Sequence, residues 1–255
     1  MSSFVHIVTV GTSILINARR KLGKEPTEEE LLSFVREEPR KASAELNTIL
    51  PLLENRRDKQ HVVYLLHSDT SEARVCAHTL KKFLSGLGLR LNAELVEIKG
   101  LGSVNTFHEG LGELFEQATK LIMGHYASGD RVFVHATGGF KPESTMVFLA
   151  ANFPRSGAPV FYIHESFREV LRLPAFPFWP RRKQKFEKLM DHMCRVKEAS
   201  WLQLEKLSMQ KAAEEAIRLG WLEEEEEKVK LTKMGHLLWE KFERLTGRPK
   251  RPYRR

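Results

Sequence analysis

Two short stretches of the chain carry residue types suited to holding an anionic group. Gly11-Thr12-Ser13 follows the β-branched run FVHIVTV and leads into Ile14-Leu15-Ile16-Asn17. Thr137-Gly138-Gly139-Phe140-Lys141 follows a second apolar run, RVFVHA, and leads through Pro142 into a helical stretch. Each offers hydroxyls, glycines that let the backbone come close to a ligand, or both. Lys141 adds a mobile point charge. Pro142 suits the N1 position of a helix, whose N-terminal N–H groups favour an anion. The chemistry is that of a phosphate site. Taken alone, the second stretch serves equally well as a tight strand-to-helix turn with a surface lysine. The matching chemistry of the first stretch favours the phosphate reading.

Neither stretch is a known nucleotide fingerprint. There is no G-x-x-x-x-G-K-[ST], which disfavours ordinary NTP hydrolysis, and no G-x-G-x-x-G after the first strand, which disfavours a dinucleotide. Cofactors are expected to be none. The two cysteines, Cys76 and Cys194, form no C-x-x-C pair, so structural zinc and a disulfide framework are disfavoured and no metal cluster is expected.

The elements that must position these stretches alternate. Strands are expected at 4–10, 61–67, 93–98, 130–136 and 158–164, several of them near-continuous apolar runs typical of parallel strands covered on both faces. FREVLRL, 167–173, adds a further strand or ribbon. Amphipathic helical stretches lie between: TEEELLSFVREE after Pro26, KASAELNTILPLL after Pro39 with a break expected at Pro51, SEARVCAHTLKKFLSGLG with Ser71 as N-cap, TFHEGLGELFEQATKLIMGHY, and PESTMVFLAANF. This order implies an α/β domain with a doubly wound, mainly parallel sheet and right-handed crossovers. Ligands bind such sheets beyond the C-terminal strand ends, at the point where strand order reverses. That is where both stretches should meet.

The last quarter differs. Residues 1–180 carry 21 Lys and Arg against 20 Asp and Glu, whereas residues 181–255 carry 20 against 13, so the net charge of +8 belongs almost wholly to the C-terminal part. The proline-rich LPAFPFWPRRK marks a boundary near 175–183. Beyond it, a long helix, two short helices, a hairpin around Glu223–Glu227 and a last helix form a winged helix-turn-helix-like domain over 182–247. A basic tail follows at 248–255. Trp179, Trp201, Trp221 and Trp239 read as packing residues. No apolar run is long enough to span a bilayer, and the N-terminus lacks a basic region and cleavage site, so neither a membrane span nor a signal peptide is expected. Two free thiols fit a reducing cytoplasm.

VTVGTSILIN, HATGGFKPE and APVFYIHESF together resemble the CARF domains of CRISPR-associated proteins, over about residues 1–175. The resemblance implies a Rossmann-like homodimer in a prokaryotic cytoplasm that binds cyclic oligoadenylate across its two-fold axis. A winged-helix-like C-terminal part is found among such proteins, including ring nucleases, which cut the cyclic messenger and switch off the antiviral response. One residue departs from the pattern: His135 stands where a polar residue, often Asn, is expected.

On this reading the ribose 2′-OH is the nucleophile, and the protein aligns it and stabilises the growing charge without a metal. Lys141 is assigned to the transition-state phosphate and Ser13 to orienting the ribose or phosphate. Gly138 and Gly139 N–H groups complete an oxyanion site. Gly11, Thr12, Asn17, Asn105, Thr106, Thr137 and Phe140 join them as ligand-binding residues, although Asn105 and Thr106 serve equally as a helix start. Two copies of the set around a tetra-adenylate ring, the expected size, would yield linear diadenylate. Two alternatives stand beside this: a cyclic-oligoadenylate-responsive transcriptional regulator, and a sensor whose output is a protein partner. Five consecutive carboxylates in the wing would repel a DNA backbone, so DNA binding is not favoured.

Three other patterns carry less. Arg56 and His61 have the R-x-x-x-x-H spacing of HEPN ribonucleases but lie before the second strand, outside any C-terminal effector. His67-Ser68-Asp69 reads as a strand-end turn and helix cap rather than a triad, because neighbours on one loop do not converge. His164 and Glu165 close the last strand in a structural or interface role.

Overall fold

The computed structural model describes residues 2–153, 158–163, 170–173, 183–218 and 221–245. The chain divides into two compact units, Met1–Pro177 and Phe178–Arg255.

In the first unit the elements run β1 (Phe4–Val10), α1 (Ser13–Leu22), α2 (Glu28–Glu37), α3 (Pro39–Ala42), α4 (Ala44–Glu54), β2 (His61–Ser68), α5 (Ser71–Ser85), β3 (Leu91–Ile98), α6 (Phe107–Ala127), β4 (Arg131–His135), α7 (Lys141–Asn152), β5 (Val160–Ile163) and β6 (Val170–Leu173). They build one six-stranded sheet in the order β3-β2-β1-β4-β5-β6, parallel except for the β5–β6 pair. The doubly wound reading therefore holds, with the order reversing between β1 and β4.

Every residue of β1 is buried, as a central strand covered on both faces requires. Its neighbours are in register: Val8 lies beside Leu65 of β2 and His135 of β4. On one face Val8, Val10, Val63, Leu65 and Ala93 meet the apolar sides of α1, α2, α4 and α5. Leu46, Ile49 and Leu53 of α4 are essentially inaccessible, each worth about 1.5–3 kcal/mol of burial.

Strand ends shift by one or two residues, and three helix boundaries differ from expectation. The helix after Pro39 breaks at Ser43, not at Pro51. Ser43 is extended (φ −135°, ψ 129°) and its hydroxyl caps α4 by accepting the Leu46 N–H, while Pro51 sits inside the helix. Thr70 rather than Ser71 caps α5, accepting the Ala73 N–H. Helix α7 starts at Lys141, so Pro142 is its second residue, where a missing N–H is equally harmless.

The second unit contains α8 (Lys183–Val196), β7 (Glu198–Ser200), α9 (Trp201–Lys206), α10 (Gln210–Arg218), β8 (Leu222–Glu225), β9 (Lys228–Leu231) and α11 (Lys233–Leu245). The expected hairpin is β8–β9, and β7 adds to it in an antiparallel sheet ordered β7-β9-β8. Trp239 and Phe186 are buried within this unit, and Trp201 donates its indole N–H to Glu224 at 2.6 Å. Trp179, His164, Glu165 and the basic tail lie outside the described residues.

Candidate functional site

The reversal of strand order brings the two glycine-bearing loops into contact. A Cβ added to Gly11 would lie 2.5 Å from the Gly139 nitrogen, so the loops pack backbone against backbone. Thr9 ties them together by donating its hydroxyl to the Gly138 carbonyl at 2.7 Å. Gly139 has φ +83°, a conformation that side chains rarely tolerate. Among the described residues, neither the Gly138 nor the Gly139 N–H has an acceptor. Helices α1 and α7 both begin here, and α1 has no acidic residue in its first turn. Unpaired N–H groups and positive helix potential therefore gather at one end of the sheet.

Beneath the loops lies Glu45, a residue the sequence reading passed over. It stands in the first turn of α4 and is 1% exposed. Its Oε1 accepts the Gly11 N–H at 2.8 Å. Its Oε2 accepts the Ser13 hydroxyl at 3.1 Å and the Ser43 hydroxyl at 2.6 Å. A Cβ on Gly138 would collide with Glu45 Oε1 and the Thr9 carbonyl. One buried carboxylate thus fixes the first loop and sits against the second. Since Ser13 spends its proton on Glu45 and receives a long 3.4 Å contact from the Ala44 N–H, it has one lone pair left to offer a ligand.

At the start of α7, Lys141 is exposed and Phe140 is 69% exposed. Glu143, one turn in, is buried, and its Oε2 accepts the Phe140 N–H at 3.1 Å. Burial pushes its carboxyl up to about 7, against the smaller opposing pull of that hydrogen bond. The Thr137 hydroxyl is buried and has no partner among the described residues.

The remaining expected residues are placed as follows. Thr12 precedes α1, and its carbonyl accepts the Ile16 N–H. Asn17 donates its amide to the Lys41 and Ala42 carbonyls at 3.1 and 3.2 Å, tying α1 to α3. Asn105 is exposed on the loop after β3. Thr106 donates to the Gly100 carbonyl at 3.0 Å. That loop is braced by Asp69, which accepts the Gly100 and Gly102 N–H groups at 2.9 and 2.7 Å. It follows β3, two strands from β1 in the sheet, whereas the Gly11 and Gly138 loops adjoin.

Directly before the second loop, three buried histidines form a chain across the sheet. His135 Nε2 lies 3.1 Å from His6 Nδ1, His6 Nε2 lies 3.0 Å from His61 Nδ1, and His61 Nε2 lies 2.9 Å from the Arg56 carbonyl. A carbonyl only accepts, so His61 must carry its proton on Nε2. With neutral rings, His6 then donates to His61 and His135 donates to His6. The chain ends in a bare acceptor, His135 Nδ1, which is buried without a partner. Burial drives His135 down to about 3. Burial first, then the His135 and His61 charges, holds His6 well below the usual histidine range.

The R-x-x-x-x-H spacing thus belongs to this internal chain. The His67-Ser68-Asp69 run forms no triad: His67 Nδ1 pairs with the Ser68 carbonyl, the Ser68 hydroxyl with Thr70, and Asp69 with the glycine loop. Among the described residues no group of three or more His, Cys, Asp or Glu side chains is placed to hold a metal, and no helix is long and apolar enough to cross a membrane.

Three solved structures show similarity. Csm6 from Enterococcus italicus, bound to cyclic hexa-2′-fluoro-hexa-dAMP, has a TM-score of 0.43 at 8% identity over 86% of this chain and 50% of its own. VC1899 from Vibrio cholerae has 0.31 at 7% over 94% and 64%. Can2 from Sulfobacillus thermosulfidooxidans, in complex with cyclic tetra-adenylate, has 0.33 at 10% over 95% and 65%. The chain spans about half to just under two thirds of these proteins. The decisive likeness is in sequence: residues 40–176, which include Glu45, the strands that carry His61 and His135 and the whole Thr137–Lys141 loop, match the family described as CRISPR-associated protein (Cas_APE2256). The chain belongs to that family and is a CARF-domain CRISPR-associated protein.

Proposed function

We propose that the first unit binds cyclic oligoadenylate at the Gly11 and Gly138 loops, in a homodimer, and cleaves it to linear products as a ring nuclease. The observation that carries this reading is the packing of Gly11 against Gly139, which joins the Ser13 and Lys141 loops into one cradle of free N–H groups at two helix starts. Such a cradle suits a phosphodiester. A ribonucleotide ring brings its own nucleophile, the 2′-OH, so the protein's task is alignment and charge stabilisation, and no metal is needed. Lys141 meets the charge developing on phosphorus. Ser13 meets the ribose. Gly138 and Gly139 offer their N–H groups to the phosphate oxygens, and Phe140 offers an exposed ring to a base.

Titration calorimetry with cyclic tetra-adenylate tests the binding half of the proposal. Lys141→Ala should weaken binding at least tenfold. Failure of the wild-type chain to bind either the tetra- or the hexa-adenylate ring would overturn it.

The second unit supports a second reading. Its order of helices followed by the β8–β9 hairpin and α11 resembles a winged helix, which suits a ligand-responsive regulator of transcription. The acidic tip of the hairpin, Glu223–Glu227, opposes DNA there. A dimerisation or ligand-covering role for this unit accords better with that charge.

A further inference from the structure

We infer that Glu45 is the positioning residue that makes Ser13 an acceptor for the ribose 2′-OH, and that it takes up the proton released in ring cleavage through the Ser13 hydroxyl. This rests on the ring-cleaving reading above. The argument begins with hydrogen-bond direction. All three hydrogen-bond partners of the Glu45 side chain are donors: the Gly11 N–H, the Ser13 hydroxyl and the Ser43 hydroxyl. The Ser13 proton therefore points inward at 3.1 Å from Oε2. A serine so held cannot donate to a phosphate oxygen. It can accept from a hydroxyl, and the 2′-OH is the hydroxyl that must lose its proton.

In the step itself, the 2′ oxygen forms a bond to phosphorus. Its proton passes to the Ser13 oxygen while Ser13 passes its own proton to Glu45 Oε2. The bond from phosphorus to the 5′ oxygen breaks, and the 5′ oxygen keeps the electron pair and takes a proton from water. Glu45 later returns its proton to water. The ring opens to a 2′,3′-cyclic phosphate at one end and a 5′-hydroxyl at the other, with atoms and charge balanced. Gly138 is required on this account as well. Only a residue without Cβ lets the phosphate-facing loop lie against the same carboxylate, so nucleophile and phosphate are referred to one fixed point.

Two other titrating groups face this cluster. Cys76 on α5, which interacts with Glu45, is pushed up to about 11 by burial and stays neutral below that. Glu143, across Gly139, titrates near 7 and adds its own limb. The test is therefore run in a Glu143→Gln background. Single-turnover cleavage of cyclic tetra-adenylate is followed against pH for the parent, Ser13→Ala, Glu45→Gln and the double variant. Affinity for a ring lacking its 2′-hydroxyls is measured alongside.

The parent should show an acid limb in its rate. Glu45→Gln should slow cleavage by about 10²–10⁴-fold, the range of a lost proton acceptor. It should abolish the limb and leave affinity for the deoxy ring within about threefold, a pattern that merely structural damage would not produce. The double variant should be no slower than the slower single one. A rate within threefold of the parent, a persisting acid limb, or additive losses would overturn the inference. Should Glu45→Gln fail to fold, Ser13→Ala keeps the carboxylate and decides the matter alone, because its residual rate must also have lost the limb. A parent that leaves the ring intact is a different failure: it refutes ring cleavage itself, whereas an active parent with an indifferent Glu45→Gln refutes only the relay.

Discussion

Gly138 lies against Glu45 so closely that a single methyl group at 138 would come within 2.2 Å of the Glu45 Oε1 atom and 2.4 Å of the Thr9 carbonyl oxygen. Backbone cannot yield as a side chain can. Gly138→Ala is therefore expected to lower stability by about 1–3 kcal/mol, the range for overpacking a filled interior, and to dislodge the loop. Gly124, in α6, makes the contrast: a Cβ there meets nothing within 4 Å, so Gly124→Ala should stabilise by about 0.5–1 kcal/mol. Thermal melts of the two variants check both signs.

The buried histidine chain predicts acid sensitivity. His135 titrates near 3 when folded, against an unfolded value near 6.5. Between these values the unfolded chain binds a proton that the native chain excludes. The native state is thus favoured fully above pH 6.5 and loses about 1.4 kcal/mol per unit as pH falls below it. His6, also lowered, adds in the same direction. In a Glu143→Gln background, which removes the opposing carboxyl, denaturant midpoints at pH 7.5 and 5.0 should separate, and the separation should shrink in His135→Asn, with the part due to His6 remaining.

Glu143 predicts the opposite slope in a higher window. Its folded value near 7 lies above the 4.5 of an unfolded carboxyl. As pH rises between them, the unfolded chain has released a proton that the native chain retains. A contribution of roughly 3 kcal/mol present below 4.5 is lost by the time pH passes 7. The same ionisation places a negative charge beneath the proposed phosphate cradle. Affinity for the ring should decline as pH rises through 7, and Glu143→Gln should flatten both the stability and the affinity profiles.

The hairpin of the second unit turns through Glu226 and Glu227, both with positive φ, 48° and 65°. Two-residue hairpins of this kind favour Asn-Gly, and non-glycine residues in this conformation cost about 1–2 kcal/mol each. Replacing the pair by Asn-Gly should raise the melting temperature of the second unit, as calorimetry would show.

The parallel sheet was legible from apolar runs such as FVHIVTV, and the two glycine loops from their composition, because both are local properties of the chain. Glu45 was not read, although a trace was there. It lies four residues before Ile49, on the buried stripe of α4, and a carboxylate on such a stripe signals a partner inside. Which partner depends on β1 meeting α4 in space, a contact 34 residues apart that no local pattern encodes. His6, His61 and His135 were each visible in apolar strands, but their chain depends on the pairing β2-β1-β4. Pro51 misled because proline usually ends a helix, whereas here the cap at Ser43 and the burial of Leu46, Ile49 and Leu53 outweigh one lost hydrogen bond.

The most direct test of the central claim is to incubate the purified protein with cyclic tetra-adenylate in EDTA and resolve the products by chromatography and mass, beside Lys141→Ala and Ser13→Ala. The account predicts linear diadenylate from the wild type, with cleavage lost or slowed at least a hundredfold in Lys141→Ala. A ring that is bound tightly and recovered intact would contradict it and bring the regulator reading forward.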